Sequence, residues 1–221
     1  MQFVSGYKGI GGDKYNTVLR PKLRAPEAFT VPSGVDESFI CTPVENQMSD
    51  PCCVSCAAST AVETTDWAKN HFYKHIPYLQ VHQECMRIDG HPYENTGTYG
   101  TSVYQALINL KYIPETAVLE IITTERDLFY ALHKYRICMV ALNITEGFRA
   151  ENCKDGWVGP QTGILGGHMM VCCGYRLQPR ATREGFHLVN SWGTEVGIGG
   201  FVKIDRDKFL AQFKEGYVIV Y

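Results

Sequence analysis

Three of the chain's nine cysteines fall within five positions of "QMSDPCCVSCAAS", residues 47–59, just ahead of a run of small residues. Cys56 follows Ser55, a residue type that caps helices, so its sulfur is expected in the first turn of a helix. There the free N–H groups and the positive end of the helix dipole lower a thiol's pKa, and the thiolate is the nucleophile. From this stretch alone, a small buried apolar residue is the simpler reading. Acyl transfer by a thiolate also needs a base, a group to orient that base, and donors for an oxyanion. Among seven histidines, His168 in "GILGGHMMVCCGY" follows two glycines and opens an apolar run, which places its ring at the start of a buried strand. The other six, at positions 71, 75, 82, 91, 133 and 187, read as surface or structurally satisfied residues. Asn190 ends "HLVN" ahead of a Trp and a Gly-rich turn, where an Asn also serves as a turn former. Taken together, Cys56, His168 and Asn190 read as a Cys–His–Asn triad.

Around these residues the chain resembles the papain-like cysteine peptidases. "VDESFICTPVENQ" is similar to the family's mature start, and "CVSCAA" stands at its nucleophile motif. "GGHMMVCCGY" resembles the strand of the catalytic His, and "HLVNSWGTEVGIGGFVKI" the Asn-Ser-Trp-Gly segment, the most specific of these matches. "GTYGTSVYQALINLKYIPETA" resembles the Gly-rich cleft strip and helix of short bacterial and phage members. The resemblance runs from about Val35 to Tyr221 and implies an α+β, two-lobe fold, with a helical lobe against a mainly antiparallel, barrel-like strand lobe.

The resemblance makes Cys56 the nucleophile, His168 the base and Asn190 the residue that holds the imidazole. Gln47 becomes an oxyanion donor beside the Cys56 N–H, and Trp192 a cover over the Asn–His hydrogen bond. Gly97 and Gly100 become a strip for extended peptide. Gly167, Met169 and Trp192 are expected to border the substrate, with an apolar side chain preferred ahead of the scissile bond. A disulfide from Cys53 towards the cleft strip is also implied, Cys85 being the nearest partner. The chain departs from the family in several places, Val54 in place of a Gly and a short Cys56–His168 separation among them. Gln47 and Cys56 are nine residues apart, Ala57 stands where an aromatic is usual, and Val196 replaces a second Trp. The implied activity is peptide-bond hydrolysis through an acyl-enzyme thioester. An amidase or acyl transferase with the same triad, and a papain-fold binding protein without turnover, are the alternatives.

Bulk composition agrees with an enzyme-sized globular chain. The 221 residues carry a net charge of −2 with 20% charged residues, and nothing in that balance suggests a nucleic-acid or anionic-membrane partner. No apolar run approaches the roughly 20 residues needed to cross a bilayer, and the start lacks the pattern of a secretory signal. The expected setting is cytoplasmic or particle-associated, with mostly reduced thiols; the expected partner is a polypeptide substrate, and a place in a larger assembly stays open. No cofactor is implied. A zinc site among Cys52, Cys53, Cys56, Cys172 and Cys173 is disfavoured because neighbours on a strand face opposite ways.

The elements that must position these groups are unlike in the two halves. Residues 1–45 are rich in Gly, Pro and charge and read as an extended arm that either shields the cleft or braces the strand half. Helices are predicted from Cys56, where Ala58, Ala61, Val62, Ala68 and Phe72 share a face, and in "TSVYQALINLKY" and "TERDLFYALHKY". Strands are predicted in "RICMVALNI", "HMMVCCGYRL", "GFHLVNSW", "GFVKI" and "GYVIVY". One domain results, with a helical part over about 46–130 and a strand part over about 131–221.

Overall fold

Small residues decide where the molecule is tightest. In a computed structural model, which describes residues 6–9, 21–177 and 183–221, the run from Cys53 to Asn70 forms helix α1. Every residue from Cys53 to Thr64 is buried, so its first three turns lie wholly inside the protein. Helices α2 (Tyr78–Asp89) and α3 (Gly100–Asn109) pack beside it. His71 in the left-handed conformation ends α1, and Gly90 likewise ends α2. The sequence reading missed α2, whose buried face is carried by Val81, His82, Cys85, Met86 and Ile88 among charged neighbours.

The remaining strands build one antiparallel sheet. Strands β2 (Val118–Ile122), β3 (Cys138–Thr145), β4 (Ile164–Arg176), β5 (Gly185–Val189), β6 (Phe201–Asp205) and β7 (Phe213–Val220) run in the order β2-β7-β3-β4-β5-β6. A short β1 (Gly34–Asp36) adds to β4. Helix α4 (Glu125–Tyr135) starts at Thr124, whose side chain accepts from the Asp127 N–H, and α5 (Arg206–Gln212) precedes β7. β2 pairs with β7, so this stretch belongs with the sheet although it lies ahead of residue 131.

Strand alternation divides the apolar residues into two cores. Met139, Ala141, Met169, Val171 and Cys173 join α1, α2 and α3 in one. Val140, Leu142, Met170 and Cys172 join α4 and α5 in the other. Cys172 and Cys173 thus face opposite ways, as a strand requires.

The arm has two described stretches. Leu23 donates to the Ile121 carbonyl at 2.9 Å and Ile121 to that of Pro21 at 3.0 Å, which lays the second stretch along β2. Residues 6–9 lie elsewhere, across the seam between α1 and β4.

Candidate active site

The start of α1 differs from the sequence expectation in one respect that reorganises the site. Cys52, not Ser55, is the N-cap residue, so Cys53 is the first helical residue and Cys56 lies a full turn in. The Cys56 N–H is already spent on the Cys52 carbonyl at 3.0 Å, whereas a first-turn N–H such as that of Cys53 has no acceptor within the helix. The two sulfurs also face different company. Cys56 Sγ sits 3.8 Å from Cys52 Sγ. The Cys53 thiol meets the backbone N–H groups of Met169, Gly6 and Val54. Met169 follows His168, so it is Cys53 that the fold brings to the stretch of β4 carrying the histidine. Burial pushes the Cys53 thiol up to about 12, with those amides pulling the other way. Burial likewise pushes Cys56 well above an ordinary thiol, and the neighbouring Cys52 adds to the rise.

The opposite wall comes from β4 and the end of β5. His168 Nε2 is 2.9 Å from Asn190 Oδ1, which also accepts the Ser191 N–H at 2.8 Å. Since that oxygen only accepts, Nε2 carries the proton and Nδ1 keeps its lone pair. Nδ1 is buried and has no hydrogen-bond partner. Trp192 stacks on the imidazole, ring centres 4.6 Å apart and planes at 28°. Burial presses His168 down to about 4, and the Asn190 bond only partly offsets this.

Gln47 is buried and locked to the same segment. Its Oε1 accepts from Ser191 Oγ at 2.6 Å, its backbone N–H donates to the Ser191 carbonyl at 2.8 Å, and its Nε2 donates to the Asp50 carbonyl at 2.7 Å. One of its two amide hydrogens therefore points into its own loop.

The arm occupies the space between these walls. A Cβ added to Gly6 would lie 2.8 Å from Cys53 Sγ and 2.3 Å from the Pro51 carbonyl oxygen, so the backbone here rests on the thiol. Gly6 accepts from the Thr98 N–H at 2.8 Å and Lys8 donates to the Thr98 carbonyl at 3.1 Å, a parallel pairing with Tyr7 opposite Thr98. Gly97 and Gly167 are the glycines this approach requires: a Cβ on Gly97 would fall 2.4 Å from the Gly6 oxygen, and one on Gly167 3.0 Å from the Tyr7 ring. Gly100 does something else. It opens α3, and its missing Cβ makes room for the Tyr217 ring, 2.5 Å from where that atom would be. Met169 is fully buried, with its amide at Cys53.

All nine cysteines are free, so the pairing of Cys53 with Cys85 implied by the resemblance is not made; the Cys85 sulfur lies 3.9 Å from Ser55 Oγ instead. Among the described residues, the one group with metal-ligand chemistry is Glu45, Glu63 and His75. Glu63 there accepts the Ile76 N–H at 2.5 Å, which ties α1 to the approach to α2.

Cys53 left a signal in the sequence. The Gln47–Cys56 spacing of nine is longer than the family's, and a loop shorter by three residues (56 − 53) ends on Cys53. Ser55 as a cap drew attention past it.

No protein-family model and no curated relative matches the sequence. Solved structures do. Xylellain, a cysteine protease from Xylella fastidiosa, superposes with a TM-score of 0.76 at 16% identity over 99% of this chain and 96% of its own. A procathepsin B from Trypanosoma congolense gives 0.75 at 12% identity, covering 98% of this chain and 86% of that one. Bromelain from Ananas comosus, solved with the inhibitor E64, gives 0.67 at 20%, covering 86% and 99%. The chain has the fold of the papain-like cysteine proteases.

Proposed function

We propose that this chain is a cysteine-type peptidase in which Cys53, rather than Cys56, is the nucleophile, His168 the base and later the acid, and Asn190 the group that orients the imidazole. The observation that carries the reading is the company of the Cys53 thiol: it lies at the first residue of α1, against the amide that follows His168. In the reaction, His168 Nδ1 takes the thiol proton, and the sulfur attacks the scissile carbonyl carbon. The N–H of Cys53 and the free amide hydrogen of Gln47 are the donors for the oxyanion. Collapse expels the amine, which takes the proton from the imidazolium, and water then hydrolyses the thioester with His168 again as base. Asn190 fixes the ring through Nε2, and Trp192 shields that bond from water, which strengthens it.

The protein is proposed to rest closed. With the arm in place, burial holds Cys53 at about 12 and His168 at about 4, so near neutral pH both are uncharged and the ion pair is not formed. Lifting residues 6–9 hydrates both groups and restores them towards ordinary values. The parallel pairing with Thr98 makes the arm a cover removable by breaking few hydrogen bonds.

Thiol labelling tests the assignment. E64, the inhibitor present in the bromelain structure, is expected to add once per chain, at Cys53 by peptide mass spectrometry. Labelling should vanish in Cys53→Ala, persist in Cys56→Ala, and slow in His168→Ala. Adduct at Cys56, or equal adduct at several cysteines, rejects the assignment and favours a papain-fold protein without turnover.

A further inference from the structure

We propose that Glu45, Glu63 and His75 form a binding site for one divalent transition-metal ion of the zinc class. None of the three takes part in the reaction proposed above, so the inference stands or falls apart from it.

Three separate segments supply the donors. Glu45 stands two residues ahead of Gln47, and its main-chain carbonyl accepts the Gly193 N–H at 3.0 Å. Glu63 projects from the third turn of α1, and His75 belongs to the stretch between α1 and α2. One ligand atom from each lies within 4.8 Å of the other two. His75 Nδ1 is 3.1 Å from Glu63 Oε1 and 3.8 Å from Glu45 Oε1. Donors held at about 2.0–2.2 Å from a tetrahedral ion stand roughly 3.4 Å from one another, so these two separations bracket what a single ion requires. The Cys52 and Cys56 sulfurs, 3.8 Å apart, do not join this set among the described residues.

The state of Glu63 points to a ligand independently of that convergence. Its side chain is fully buried; Oε1 serves both the Ile76 N–H, at 2.5 Å, and His75, while Oε2 has no hydrogen-bond partner. Burial raises this carboxyl above its ordinary range, and the Ile76 N–H, the Thr42 hydroxyl and His75 offset the rise only in part. Glu45 is raised too, by burial first and then by the Glu63 carboxylate beside it. Two carboxylates side by side, one of them cut off from water, are costly unless positive charge lies between them. A protonated His75 supplies one unit. A divalent ion supplies two, and it takes the place of the Nδ1 proton, bonding the imidazole and both carboxylates at once. The His75 side chain is 53% exposed, which gives the ion a way in from solvent and a position for water as fourth ligand. One imidazole nitrogen with two carboxylate oxygens suits zinc and its neighbours rather than calcium, which takes about six to eight oxygens. Bound there, the ion joins the segment of Gln47 to α1 and to the approach to α2.

The test is binding of Zn2+ and Co2+ by the full chain, stripped of metal and with its thiols reduced, followed by calorimetry and by the absorption spectrum of Co2+. One Zn2+ per chain is expected, replaceable by Co2+ whose spectrum shows ligand-field bands and no sulfur-to-metal charge transfer. His75→Ala and Glu63→Gln should each weaken zinc binding by about 100-fold or more, and Glu45→Gln by about tenfold or more. Glu63→Gln keeps an acceptor for the Ile76 N–H; His75 is half exposed, so its variant decides the matter even if the buried one fails to fold. Cys52→Ala combined with Cys56→Ala should change the affinity by less than about threefold. Zinc should raise the melting temperature of the unmodified chain and leave that of His75→Ala where it was. No zinc binding, a thiolate spectrum with Co2+, binding that survives His75→Ala or falls with the two cysteines, or Ca2+ bound more tightly than Zn2+ each overturns the proposal.

Discussion

The arm touches the body in two places, and it is built differently in each. Its second stretch is woven in. Arg126 donates to the carbonyls of Pro26, Glu27 and Phe29 at 2.9–3.0 Å, and buried Asp127 accepts the Ala25 N–H at 2.8 Å and Arg24 Nη1 at 3.2 Å. Its first stretch, residues 6–9, is laid on. It uses two main-chain hydrogen bonds to Thr98 and two side chains, Tyr7 on Glu215 and Lys8 on Thr96 Oγ1 at 2.9 Å, and otherwise rests on glycine and sulfur. A segment anchored through several independent groups stays when one is lost. A segment whose main chain pairs with Thr98 alone and whose other ties are two side chains is open to competition from an extended peptide that offers the same backbone groups. One chain thus braces the sheet with one part and covers the Cys53 thiol with another.

The comparison breaks most visibly under substitutions that remove one anchor from each stretch. Asp127→Ala leaves the Ala25 N–H and the Thr124 hydroxyl, at 2.7 Å from the carboxylate, without their acceptor. It should cost about 2–3 kcal/mol, with the loss of an acidic side chain from the first turn of α4 and of part-buried hydrogen bonds adding together. For a chain of this size that lowers the melting temperature by roughly 4–12 °C in a thermal scan. Peptide hydrolysis per folded molecule should not rise; if it does, the second stretch also guards the cleft. Gly6→Val has the complementary signature. Its side chain cannot occupy a position 2.3 Å from the Pro51 oxygen, so the first stretch must lift. Two hydrogen bonds at about 0.5–1.5 kcal/mol each put the expected gain in hydrolysis on the order of 10- to 100-fold. The melting temperature should hardly move. Unchanged hydrolysis would mean that residues 6–9 do not limit access.

Which parts of this were legible in the sequence follows from how local each signal is. The strands of the second half, α4, and the pairing of His168 with Asn190 rest on short-range patterns: apolar runs, helical spacing, a His after two glycines. They correspond to β3–β7, to α4, and to a 2.9 Å hydrogen bond. Which cysteine opens the helix was harder to read. Cys52, Cys53 and Cys56 are chemically identical, and only the helix start distinguishes them; Cys52 caps with backbone geometry alone and no side-chain hydrogen bond, so no capping residue type marks the boundary. α2 was hidden because its exposed face is polar and no Ser, Thr, Asn or Asp precedes it; Pro77 is the N-cap. Glu215 could not be read at all. "KEGYVIVY" gives a strand, but whether its Glu faces solvent or a buried pocket depends on Tyr7, 208 residues earlier in the chain.

The smallest expected effect sharpens the comparison by pH. Two groups that titrate in acid lie beside the first stretch, His168 next to the Gly167 on which Tyr7 packs and Glu215 bonded to the Tyr7 hydroxyl, and they answer acid in opposite senses. His168 is held at about 4 when covered, so between that value and the ordinary 6.5 the lifted form binds a proton that the covered form does not. Acid therefore favours lifting. Glu215 is raised above an ordinary carboxyl, chiefly by burial, so the covered form holds its proton more readily and acid favours covering. The two partly cancel in the unmodified protein. Glu215→Gln removes one side of the balance while keeping an oxygen for the Tyr7 hydroxyl. In that variant, one proton with a lifted-state value near 6.5 raises the lifted population about fivefold between pH 6.5 and 5.5. Hydrogen exchange at the Lys8 and Thr98 amides, corrected for its intrinsic pH dependence, reads that population directly. Protection that stays constant over this interval would show that the imidazole is not hydrated when the arm lifts, and that its burial comes from Trp192 and the sheet instead.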